Sequence, residues 1–274
     1  MTAAPLLAAF GAAGGMPPAT LESVRVCADG HARAIVGSAW PDGDPQDEAG
    51  LYETQLEPAE LEAVRTLAGD RALRALAGEH GPVRADSGRS SLSLGDDADG
   101  EAVKIVWGAF AKPPDPLPAA VATLRRILAI AREHPVAALR LAVELDGEPG
   151  KDGVPLVFTL SNPGREGVRH SLMLQGAEAP RVAVLPASGA QDPLVLSNYR
   201  TATPVALLDD PLREDALAAG AEQRLRATAP VVLEPGEHGL VAFGRGTLEV
   251  IVDARPLALE VFLIARAGTV RIPG

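Results

Sequence analysis

The residues Asp146-Gly-Glu-Pro-Gly-Lys-Asp-Gly153 divide the chain into two stretches that follow different rules. Before them, strand-like runs are interleaved with two amphipathic helical patterns. After them, short alternating runs separated by Pro, Gly and Asn continue almost to the C-terminus. Pro and Gly mark places where few contacts cross, so a boundary is expected here. A length of 274 residues is also long for a single core. The sequence therefore predicts two domains, 1–146 and 154–274, joined by a linker at 147–153.

In the first stretch, residues 21–27 and 31–38 read as strands flanking Ala28-Asp29-Gly30. Asp-Gly favours a hairpin because type I′ turns need positive φ at both central residues. Residues 90–94 and 102–107 repeat the pattern around an Asp- and Gly-rich turn at 95–100. One helix is punctuated at both ends. Pro58 suits the first helical position, and Leu56 and Leu61 are spaced as a hydrophobic staple. Its stripe of Leu61, Val64, Leu67 and Ala68 stops at Gly69, and a short helical piece follows at 71–77. The strongest helix carries Leu117, Val121, Leu124, Leu128 and Ala131 at helical spacing and ends at His134-Pro135. Leu139, Leu141, Val143 and Leu145 then alternate with Arg140, Ala142 and Glu144, as in a half-buried strand. Hairpins with interspersed helices predict an α+β domain, an antiparallel sheet with helices packed on one face.

The second stretch offers strand-like runs at 154–161, 167–174, 181–185, 194–198, 223–228, 231–233, 240–243, 247–252 and 257–266. Gly244-Arg-Gly246 reads as a hairpin turn, and 211–219 as one or two helical turns. Short strands with turn signals between them predict an all-β sandwich. The opening strand, Leu160-Ser-Asn-Pro-Gly164 and the returning strand resemble the first hairpin of immunoglobulin-like domains. The resemblance covers this hairpin and implies an immunoglobulin-like scaffold. It implies no activity, since sandwiches host many unrelated functions.

Composition narrows the functional classes. Apolar residues make up 47% but aromatics only 3%, so the cores must be built from Leu, Val, Ile and Ala. Lysine occurs only at 104, 112 and 151, and the preference for Arg reads as GC-rich coding of a kind common in bacteria. The net charge is −11, with most of the acidic excess before residue 147. Such a surface repels phosphate backbones and disfavours nucleic acid and anionic membranes as partners. Cys27 is alone, which rules out an intramolecular disulfide, and its strand-like setting predicts a buried thiol. No apolar run reaches the roughly 18 residues of a membrane-spanning helix. The first sixteen residues lack a basic start and are broken by Pro5, Gly11, Gly14 and Gly15. They read as a strand at 5–10 rather than a signal peptide, which favours the cytoplasm; a processed export product would read the same.

Candidate chemistry is sparse. Glu79-His80, Glu133-His134 and Glu237-His238 are adjacent pairs, and adjacent residues do not share a helix face as metal ligands must. Asp97-Ala-Asp99-Gly100 matches the start of a calcium loop, but the strand at 102–107 stands where the later bidentate Glu is needed. Nucleophile-elbow, dinucleotide and phosphate-loop spacings are missing, so no catalytic residue, cofactor or metal is assigned. Among the scarce aromatics, Trp107 reads as core, whereas Trp40 borders the acidic residues 41–50. Trp40, Asp42, Asp44, Asp47 and Glu48 form the expected binding surface, a loop of one charge sign that would speed association with a basic partner. The favoured function is a non-catalytic protein-binding or regulatory protein, of an inhibitor or immunity type, acting by stoichiometric contact with another protein. The rival is a hydrolase with its site in a cleft between the two domains.

Overall fold

Strand-forming alternation governs far more of the chain than the two helical patterns suggest. The computed structural model describes residues 4–14, 20–38, 47–82, 88–95, 102–108, 111–171, 180–186, 202–208 and 216–272. Of these described residues 59% are strand and 15% helix, with three helices among them. This overturns the expected α+β architecture with helices on one sheet face, followed by an immunoglobulin-like sandwich. The protein is nearly all β, built from large sheets, with a β-rich, sandwich-like character. The chain divides into two units, Met1–Ala39 with Leu51–Val136, and Trp40–Gly50 with Ala137–Gly274.

The first unit holds β1 (Leu6–Gly14), β2 (Thr20–Cys27), β3 (His31–Ser38) and most of β4 (Glu48–Gln55). After α1 (Pro58–Ala68) and α2 (Arg71–Arg74) come β5 (Gly78–His80), β6 (Arg89–Leu94), β7 (Val103–Gly108) and α3 (Leu117–Arg132). Its strands lie in the order β4-β3-β2-β1-β6-β7-β5. The β2–β3 hairpin turns where the sequence asks: Gly30 takes φ +84, and the His31 amide donates to Asp29 Oδ1 at 3.0 Å. Helix α1 has Pro58 at its start and Gly69 at its C-cap, and buries Val64 and Leu67. Helix α3 buries Leu117, Ala120, Leu124, Ile127, Leu128 and Ala131 and contacts β1, β2 and β3. The apolar stripe is thus rotated slightly from the expected one, with Val121 half-buried. Trp107 is core, as expected, and stacks on Phe10 with ring centroids 6.3 Å apart.

The second unit starts from β8 (Pro135–Leu145) and β9 (Val154–Ser161). They pair antiparallel through a connection in which Gly150 and Gly153 bridge each other. Gly153 has φ +120, and a Cβ there would run into the Ala229 carbonyl, so only glycine fits this turn. The remaining strands are β10 (Val168–His170), β11 (Arg181–Pro186), β12 (Thr203–Pro204), β13 (Ala206–Leu207), β14 (Ala216–Leu217), β15 (Glu222–Ala229), β16 (Gly236–Val252) and β17 (Arg255–Ile272). One sheet of the unit runs β13-β15-β9-β8; the other runs β12-β11-β16-β10-β14, with β17 paired to β16.

The short strands of an immunoglobulin-like pattern are replaced here by a continuous ribbon, β16 of 17 residues against β17 of 18. Gly244-Arg-Gly246, expected to turn, lies inside β16, opposite Val261 to Leu263. The turn falls instead at Asp253 and Ala254, which take φ 50 and 62. Positive φ at two successive central residues suits a type I′ turn, but Ala is a poor signal for it. At 211–219, expected to be helical, the described residues Ala216 and Leu217 pair with β10 as a strand.

Candidate functional site

The alternation in β8 fixes which of its side chains can meet a ligand. Leu141 and Val143 turn inward, while Arg140, Ala142 and Glu144 are exposed. At its start, β4 lies beside β8, and the Leu141 amide donates to the Asp47 carbonyl at 2.7 Å. Next to this contact is an open groove of about 430 Å³. It is lined by Asp47, Leu141, Val143 and Glu144 and, from β17, by Ile264 and Arg266. Leu141, Val143 and Ile264 are buried, so the groove presents mainly three charged groups, two of them carboxylates. Glu144 also meets Arg224 at 3.7 Å, but both side chains are more than half exposed, and such a pair binds weakly.

The expected binding residues separate at this point. Trp40, Asp42 and Asp44 lie outside the described residues. Asp47 is exposed and lines the groove. Glu48, its neighbour, is 4% exposed. It accepts a 2.7 Å hydrogen bond from Arg140 Nε, and Arg140 Nη2 reaches the same oxygen. A buried carboxylate held by a guanidinium is a structural pair, and loss of the half-exposed Arg140 would leave the buried Glu48 charge without compensation. Asp47 and Glu48 thus do different work although they are adjacent in sequence.

The remaining candidates have ordinary settings. His80 and His238 each use Nε2 on the carbonyl four residues earlier, Leu76 at 2.6 Å and Glu234 at 2.7 Å. His134 is exposed beyond the end of α3. The Asp97 turn lies outside the described residues, and Cys27 is half-buried. Among the described residues no three His, Cys, Asp or Glu side chains are grouped to hold a metal, and no helix is long and apolar enough to cross a membrane.

Sequence reasoning missed Glu144 and Arg266 as groove residues. Glu144 was legible as an outward position of an alternating strand, and Arg266 as the end of the 257–266 run. What places them in one groove is the approach of β8 and β17, more than a hundred residues apart in sequence.

No family model matches the chain, and no curated protein does. One similar solved structure is the thioester domain of the Enterococcus faecium TIE86 protein, 9% identical, covering 100% of this chain and 98% of that one. Its TM-score is 0.19, and the likeness carries no argument about fold or function.

Proposed function

We propose that the protein works without catalysis, by stoichiometric contact with another protein that presents a basic surface, and that the groove is part of the contact. The observation behind this reading is that one open groove presents two exposed carboxylates, Asp47 and Glu144, on either side of exposed Ala142. Exposed carboxylates steer a basic partner and set its orientation. Trp40, Asp42 and Asp44, which precede Asp47 in the chain, belong to the same proposed surface. Glu48 does not, because its carboxylate is committed to Arg140.

The test is kinetic. With a partner captured from the native host, the double substitution Asp47→Asn with Glu144→Gln should slow association about threefold to tenfold at low salt, and less at physiological salt. Its melting temperature should stay unchanged, since both side chains are exposed. Glu48→Gln is the contrasting control: it should lower the melting temperature and leave the association rate alone. An unaltered association rate in the double variant would remove the groove from the contact.

A further inference from the structure

Register and burial sort the strands of the first unit into two faces. Phe10 lies between Val24 and Leu92, in a buried row that Ala34 and Ile105 extend. Arg125 of α3 sits over the Phe10 ring, 5.7 Å from its centroid, so this is the helix side. The next row belongs to the opposite face and reads Lys104, Ser93, Ala9, Arg25, Arg33 across β7, β6, β1, β2 and β3. Lys104 and Arg25 are exposed, and Ser93, Ala9 and Arg33 are half-buried. Beside this row a Cβ on Gly11 would sit 3.8 Å from Ser23 Cβ and 3.9 Å from Ser91 Oγ, so hydroxyls border the same floor. Arg89, opposite Ala13, is exposed on this face as well. The carboxylate that these strands carry, Glu22, lies on the helix side, 9% exposed and 3.6 Å from Arg125. Arg25 and Arg33 are directly opposite on neighbouring strands, where like charges destabilise a sheet. Glu53 accepts from Arg33 Nε at 2.7 Å and relieves that side of the pair. Folding alone does not call for such a pair in a chain of net charge −11.

We propose that this face takes an extended acidic segment of a partner protein, laid across the strands with carboxylates on Arg25 and Lys104. Strand spacing puts these two residues about 14 Å apart, which an extended chain covers in about four residues. Residues four apart in an extended chain also point the same way. A segment with an acid at every fourth position therefore meets both cations from one side. The small floor at Ala9 and Gly11 lets its backbone approach, and Ser23, Ser91 and Ser93 offer hydroxyls to it. An acidic peptide fits better than a nucleic acid. Phe10 and Trp107, the aromatic residues of these strands, are buried on the helix side, so the strands give this face no platform for stacking bases. This occupant is opposite in charge to the basic partner proposed for the groove, and the two surfaces serve different contacts.

Fluorescence anisotropy with a labelled serine-rich peptide bearing glutamate at every fourth residue tests the proposal. The peptide should bind at low salt and bind more weakly as salt rises. Arg25→Glu and Lys104→Glu should each weaken binding roughly tenfold, by turning an attraction into a repulsion. Arg25→Glu should not lower the melting temperature, because it also removes the like-charge pair with Arg33. Lys104→Glu probes the far side of the face without touching that pair. A peptide with the same glutamates placed consecutively should bind less tightly than the spaced one. A wild type that does not bind the spaced peptide at low salt overturns the proposal. So does binding that neither reversal weakens, or equal binding of the two peptides. A single-stranded oligonucleotide of equal charge that binds more tightly than the spaced peptide, through the same two residues, would assign the face to nucleic acid and overturn it too.

Discussion

Replacing Asn162 by alanine is expected to lower stability by about 2–5 kcal/mol, with a fall in melting temperature of roughly 5–15 °C. The side chain is 1% exposed. Its Nδ2 donates to the carbonyls of Glu166, Leu217 and Ala218 at 2.8, 3.2 and 3.1 Å, and Oδ1 accepts from the Gly164 amide at 2.9 Å. The main chain joins in, with Asn162 N donating to Ala221 O and Asn162 O accepting from Gly220 N, both at 2.9 Å. One residue thus ties the end of β9 to β14 and to the approach of β15, strands of two different sheets of the second unit. Alanine leaves several buried groups without partners, and each costs about 1–3 kcal/mol. Asn162→Asp should be worse than alanine, because it sets carboxylate oxygens against carbonyl oxygens in a buried site. Chemical denaturation of the three proteins checks the order. An aspartate variant more stable than the alanine variant would show that the amide does not donate as described.

The second large effect is expected at Leu124, which is fully buried near the middle of α3. Leu124→Ala should cost about 2–5 kcal/mol, the transfer term plus the cavity left behind. Arg126, exposed on the same helix, should cost less than about 0.5 kcal/mol when replaced by alanine. Urea denaturation of both variants makes the comparison. A Leu124→Ala loss as small as that at Arg126 would place this side of α3 in solvent.

These residues mark what could be read ahead of the structure. Asn162 was visible as a turn residue, through Asn162-Pro163-Gly164, but not as a hub. Its partners at 217 and 218 lie more than fifty residues away. Helices α1 and α3 were legible because their signals are local: Pro58, the stripes, Gly69 and His134-Pro135. The Ala28-Asp29-Gly30 hairpin and the alternation in β8 were legible for the same reason. Strand order was not. That β1 lies between β2 and β6 leaves no local trace in the sequence.

Strand length in the second unit exceeds what the turn residues suggest. Gly244 and Gly246 lie inside β16, whereas the turn falls on Asp253 and Ala254, which the sequence hides. The acidic surface was misread at Glu48 for a simpler reason. Asp47 lies just before β4 and is exposed, whereas β4 opens with five buried residues, Glu48 to Tyr52. A loop reading treats both alike, and only the placement of Arg140, 92 residues away, settles what Glu48 does.

Stoichiometric contact is tested most directly by calorimetric titration of the captured partner into the purified protein, followed by intact-mass measurement of both. The titration should reach its end point at a fixed molar ratio, with both masses unchanged. The affinity should weaken as salt rises, because the carboxylates at the groove contribute to it. A partner whose mass changes in the presence of far less than one equivalent of the protein would contradict this reading and establish turnover.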